Sequence, residues 1–303
     1  MMGTVQVDRL LVLIAAATSI ALPFIRNTAQ AGEALDTVTV EAQRERELHR
    51  QISSFVSSFD VTYLNAPLER WNSPICPLVA GLPSERGEFI LARLSQIARD
   101  AHAPLAPEHC RPNLYVVVTG QPDLLVEKWT KRDRNMFNSC SGYGYVREFL
   151  HSRQPVRAFY NAELVSSDGA HRDPAALDVA GLRLEFSLNS CVSSGRAGSR
   201  LTYGAVRSLQ AVVVVVDLTR VAQLNMGQLA DYVAMVALAQ IRLDANTGTA
   251  PTILGLFHES DSRPQELSLW DRSFLEGLYT TDQSSVLQVN AIKSRMFDKI
   301  AGH

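Results

Sequence analysis

Cysteine is scarce in this chain. Four in 303 residues are too few to staple a protein that lacks a core, which excludes a disulfide-built miniprotein. An excess of one charge is missing too: 29 basic against 31 acidic residues leave a formal net charge of −2, so there is no electrostatic case for nucleic acid. Glycine and proline are too sparse for a collagen-like or low-complexity chain, and 46% hydrophobic residues with 20% charged exclude disorder. The common chemical motifs are also absent. There is no G-x-x-x-x-G-K-[ST] loop to cradle a phosphate, Gly142-Tyr143-Gly144 lacks the third glycine of a dinucleotide turn, and no G-x-S-x-G elbow occurs. The seven histidines contain no i, i+4 pair, and His258-Glu259 opens like H-E-x-x-H only to place Ser262 at the fifth position. His258 therefore reads as a solvated loop residue. No cofactor and no metal are expected.

What is present is clearest at the N-terminus. Residues 10–25 (LLVLIAAATSIALPFI) form an apolar run between Arg9 and Arg26, with Pro23 near its end. It falls short of the roughly 20 residues a membrane-spanning helix needs. Ala29-Gln30-Ala31 supplies a small-x-small pattern, so residues 1–31 read as a signal peptide cleaved between Ala31 and Gly32. An uncleaved N-terminal anchor is the competing reading. No cysteine follows the run, which disfavours a lipoprotein. No other stretch approaches spanning length, so no stable membrane span is expected after cleavage.

Export sets how the cysteines are read. Cys76, Cys110, Cys140 and Cys191 are even in number and all follow the leader, so two disulfides are expected in an oxidising compartment. Of three possible pairings, Cys76–Cys110 with Cys140–Cys191 is preferred, because the first closes locally around one helix-loop unit. Such a bridge contributes roughly 3 kcal/mol in the chain-entropy model. No two cysteines stand at zinc-ligand spacing, and none sits in a nucleophile motif.

Periodicity then predicts the elements. DTVTVEA (36–42) alternates like a short strand and 44–58 follows as an amphipathic helix, so 32–59 reads as an N-terminal arm ahead of one domain over 60–303. Cys76–Pro83 reads as a turn-rich lead-in to a helix capped at Ser84, with a core stripe of Ile90, Leu94 and Ile97. Asn113–Thr119 suits a strand buried on both faces, and five consecutive valines make Ala211–Leu218 the strongest strand. Helices are expected over 122–132 and 285–300, and further strands over 156–165, 182–188 and 201–206. Residues 138–145, 166–174 and 193–199 read as loops, and Pro251–Phe257 as an extended link. Asn225 with Gln228, and Ser268 with Asp271, have the spacing of capping boxes. The helix after Asn225, taken as 226–242, is apolar nearly all round and belongs in the core. Strands and helices intermix without strict alternation, which points to α+β with a mixed sheet.

Asp231 stands on that apolar helix. Burying it without a partner would cost several kcal/mol or raise its pKa. It is therefore a candidate functional acid or ligand, unless an arginine, a tyrosine hydroxyl or an exposed edge accounts for it.

The leader, VTVEAQRERE, CPLVAGLP…EFILARLSQIA and QLADYVAMVALAQI…PTILGLF…WDRSFLEGLY together resemble a family of uncharacterised exported bacterial proteins, which has no activity to transfer. Residues 211–282 are similar to exported zincin-like proteins, whose long helix carries H-E-x-x-H. The matching stretch here is Asp231–Met235 (DYVAM), without either histidine or the glutamate, so the resemblance implies a metal-free, degenerate scaffold. DTVTVEAQR resembles the segment of TonB-dependent receptors that adds a strand to a partner's sheet edge. The alternative is a leader or β-arm of the protein itself.

The expectation is thus an exported, disulfide-stabilised, non-catalytic binding or accessory factor, periplasmic or secreted, acting on an envelope protein or a small ligand. Two rivals are an exported hydrolase using Asp231 and His171, and a partner-docking protein using Asp36–Arg44. The candidate interaction face combines the arm with the loops near 138–145 and 165–175.

Overall fold

The computed structural model of the protein describes residues 27–59, 67–132, 143–166, 175–179, 182–186, 198–242, 245–258 and 263–302. The chain divides into two compact units, Met1–Arg46 and Glu47–His303. Of the first, the backbone of 27–46 is described, and it is helical throughout as part of α1 (Asn27–Ser58). The strand expected over 36–42 is not formed. Extending an existing helix adds a hydrogen bond for each residue fixed, whereas a lone strand has nothing to pair with.

The second unit is α+β around a mixed sheet. Its strands are β1 (Arg70–Trp71), β2 (Pro77–Ala80), β3 (Leu114–Thr119), β4 (Val156–Ser166) and β7 (Ala205–Asp217). β7 is the axis. β4 runs antiparallel along one side of it, while β1 and β3 run parallel along the other, at Ser208–Leu209 and Val212–Asp217 respectively. β2 completes the sheet, parallel to β3. Between Asn161 and Ala162 the β4 register shifts, so that Gln210 is an extra residue on β7. A separate hairpin joins β5 (Ala175–Val179) to β6 (Leu182–Phe186).

The valine run explains itself once both faces are seen. Val212, Val214 and Val216 face the larger core, with Val116 and Val118 of β3. That core is completed by α2 (Ser84–Asp100), α6 (Met226–Leu238), α7 (Leu269–Thr280), α8 (Gln288–Ala301) and the end of α1. Ala211, Val213 and Val215 face a smaller core built on Val126 and Trp129 of α3 (Pro122–Arg132) and Phe149 of α4 (Tyr143–His151). Covered on both sides, the strand needs apolar residues at every position.

Close contacts fix both the helical layer and the sheet. Phe55 of α1 meets Trp270 and Phe274 of α7 edge-on, with centroids 5.5 and 6.1 Å apart. Gly277 lets α7 approach α8, since a Cβ there would sit 3.2 Å from the Ile292 side chain. Gly81, at φ +87° after β2, lies against β3 so closely that a Cβ would stand 1.9 Å from the Val118 carbonyl oxygen, and only glycine fits.

Cys76 and Cys110 are bonded, with Cα atoms 5.9 Å apart, as the preferred pairing has it. The bridge ties the residue before β2 to the approach to β3. Cys140 and Cys191 lie outside the described residues.

Several elements differ from expectation. The lead-in at 77–80 is β2, because β3 offers it a parallel edge. The helix expected over 226–242 ends at Leu238, and 239–241 continue as buried extended chain. The link at 251–257 contains a 3₁₀ turn, Ile253–Phe257. Leu287, inside the helix expected over 285–300, is instead its N-cap and is 57% exposed. The candidate interaction loops fall mainly outside the described residues; Tyr143–Tyr145 belong to α4 and Ala175 to β5. Among the described residues no helix is long and apolar enough to cross a membrane.

Candidate functional site

Asp231 is fully buried. Its two oxygens accept a fork of bonds from Arg93 of α2, Nε to Oδ1 at 2.5 Å and Nη2 to Oδ2 at 3.0 Å, and Oδ2 also accepts from the Leu267 backbone N–H at 2.7 Å. The Arg93 side chain is 31% exposed, so the pair is buried at one end and wet at the other. The carboxylate holds Arg93 firmly in its charged form, raising its pKa. The arginine alternative therefore accounts for Asp231. It joins α2, α6 and the chain entering α7, and both of its oxygens accept bonds from within the protein. His171, its proposed partner, lies outside the described residues, so the two are not brought together here.

The stretch Asp231–Met235 is buried along its whole length. Tyr232 packs edge-on against Phe257 at 4.7 Å, and burial pushes its phenol pKa up. Among the described residues no group of three or more His, Cys, Asp or Glu is placed to hold a metal.

Asp271 is a second buried carboxylate. It accepts from the Ser268 backbone N–H and hydroxyl at 2.9 and 2.8 Å, from the Ile253 N–H at 2.9 Å, and from the Thr252 hydroxyl. The expected capping box of α7 is formed, and the same acid also anchors the start of the 3₁₀ turn. Burial raises its pKa, and the four donors pull it part of the way back. Glu69 is a third. It is ion-paired to Arg207 and faced by the Gln240 amide, whose nitrogen donates to it, and burial again raises its pKa.

A concave feature lies elsewhere, where β7 ends and β4 begins. A cavity of about 510 Å³ opens there, inside the range of small-molecule sites. Asp217 ends β7 and caps the short helix α5 (Leu218–Val221), accepting from the Thr219 N–H and hydroxyl at 3.0 and 2.6 Å. This turn aims Thr219 and Arg220 into the cavity, and Gln223 and Leu224 follow. The opposite wall is Leu256, Phe257 and His258 from the end of the 3₁₀ turn, with Arg263 beyond. Pro155 closes the side, where its carbonyl accepts from the Asp217 N–H at 2.8 Å.

Sequence reasoning anticipated His258 as an exposed residue, which it is, but not that it would face Arg220 and Arg263. A weak signal existed: Arg220 follows the strongest strand by three residues. Nothing local marks Arg263. No protein-family model, no curated protein and no solved structure matches this chain.

Proposed function

We propose that the protein is an exported, disulfide-stabilised binding or accessory factor of the cell envelope, working without a catalytic metal. The observation that carries this is the Cys76–Cys110 disulfide in a chain whose first 31 residues have the pattern of a cleaved leader. A disulfide persists where the compartment is oxidising. The only carboxylate on the central helix is engaged by Arg93 and Leu267, which supports a structural rather than a catalytic role for it. The zincin-like resemblance fits the same reading, since the positions of its missing ligands are filled by core packing.

The test is made on the natural product. Intact mass should place the N-terminus at Gly32, and thiol titration without reductant should find no free cysteine among the four. A full-length, reduced chain recovered from the cytosol overturns the proposal. So does stoichiometric zinc in the purified protein.

A further inference from the structure

We infer that the cavity between the end of β7 and the start of β4 binds a small organic anion, with a carboxylate or phosphate head on Arg220 and Arg263 and an apolar body against Leu224, Leu256 and Phe257. This rests on the binding-factor reading above and gives it a ligand class. The charge arrangement is the argument. Elsewhere the fold pairs its half-buried and buried arginines: Arg93 with Asp231, Arg157 with Asp123, Arg207 with Glu69. Arg70 instead caps α7, donating to the Leu278 and Thr281 carbonyls. The two arginines at the cavity are exposed instead. Among the described residues neither Arg220 nor Arg263 meets a carboxylate, and both face one concave space together with His258. Asp217, at the end of β7, accepts from the Thr219 N–H and hydroxyl.

Arg220 is also positioned. One of its terminal nitrogens donates to the Arg153 carbonyl, which orients the guanidinium and leaves its other donors for an anion. A planar fork of this kind matches the two oxygens of a carboxylate or phosphate. The apolar wall is firm, because the 3₁₀ turn that carries Leu256 and Phe257 is anchored by Asp271 at its start and by Tyr232 beneath it. Two arginines in a hollow, within a chain of net charge −2, suit a single small anion rather than a polyanion, which needs an extended basic face.

The experiment is calorimetric titration of the oxidised protein with phenyl phosphate, benzoate and benzyl alcohol. Binding of either anion, with benzyl alcohol at least ten-fold weaker, is expected; the tighter of the two anions identifies the head group. Arg220→Gln with Arg263→Gln should weaken the anion at least ten-fold, while Arg220→Lys with Arg263→Lys retains part of the affinity. Both arginines are exposed, and an unchanged melting temperature verifies the fold. Binding should also fall several-fold between low and high salt. The inference is overturned if neither anion binds, if benzyl alcohol binds as well as they do, if the double glutamine variant binds unchanged, or if salt has no effect. A protein that begins at Gly32, has no free thiol and binds neither anion loses this inference alone.

Discussion

A carboxylate withdrawn from water must find its donors in the protein, and Asp231 and Asp271 do so differently. Asp231 has a cation and one backbone N–H; Asp271 has four neutral donors. Removing Arg93 leaves Asp231 with Leu267 as its remaining donor. Arg93→Ala should therefore cost about 2–4 kcal/mol, somewhat softened because water can reach that end of the pair. Adding Asp231→Leu should recover part of the loss, the residue being about 1–2 kcal/mol for the orphaned Leu267 N–H; a double-mutant cycle in urea measures both. Asp271 makes a pH prediction. Its pKa is higher in the folded state, so folding binds a proton there. That contribution is complete below about pH 4, the ordinary carboxyl value, and is lost as pH rises through the raised folded value. Urea midpoints from pH 7 down to pH 4 should show the parent protein gaining more than Asp271→Asn. An equal pH slope in both would refute the assignment. Ser268, a partner of Asp271, was legible from sequence as its capping-box mate; Arg93 was not, because it sits beside the stripe of its own helix, and only the crossing of α2 over α6 shows what it meets.

At the scale of elements, two helix starts were legible and a third was misplaced: Ser84, expected to cap α2, is its first residue, and Pro83 is the N-cap, with no side-chain bond. Both capping boxes, at Asn225 and Ser268, are formed, because a cap is a bargain between residues three apart in the chain. The end of α6 is different. It has no glycine stop, and three aromatic side chains take its last carbonyls: Tyr160 donates to Val236 at 2.8 Å, Trp71 Nε1 to Ala237 at 2.9 Å, and Tyr279 to Leu238 at 2.5 Å. These donors come from β4, β1 and α7. Apolar composition alone therefore carried the helix past Leu238, whereas distant side chains satisfy its orphan carbonyls there. Burial raises the Tyr279 pKa and keeps the phenol a donor. Tyr279→Phe should lose about 1–2 kcal/mol at unchanged helix content, read from thermal melts followed by circular dichroism. The same logic accounts for β2, whose four residues form a strand because β3 lies beside them.

For the whole molecule, the Cys76–Cys110 bridge spans a sequence separation of 34 and encloses α2 between two parallel strands. Replacing both cysteines by serine should cost about 3–4 kcal/mol in the chain-entropy account, seen as a lower urea midpoint. Reducing agent should shift the parent protein in the same direction and by more than it shifts the double variant, in which only Cys140 and Cys191 remain. If reductant moves both alike, the described bridge is not its target. The cavity also belongs to this scale: its walls come from the end of β7, the loop before α6, the 3₁₀ turn and Pro155, which no single segment could announce.

Composition and spacing alone determined the α+β class, the doubly buried valine strand, both helix caps and the local disulfide, since each depends on residues near one another or on how much surface must be hidden. Tertiary structure decided where the central helix stops, that 77–80 is a strand, that Asp231 belongs to Arg93, and that two arginines are left facing a hollow. Those outcomes depend on which distant groups arrive to fill a hydrogen bond or balance a charge, and arrival is a property of the fold.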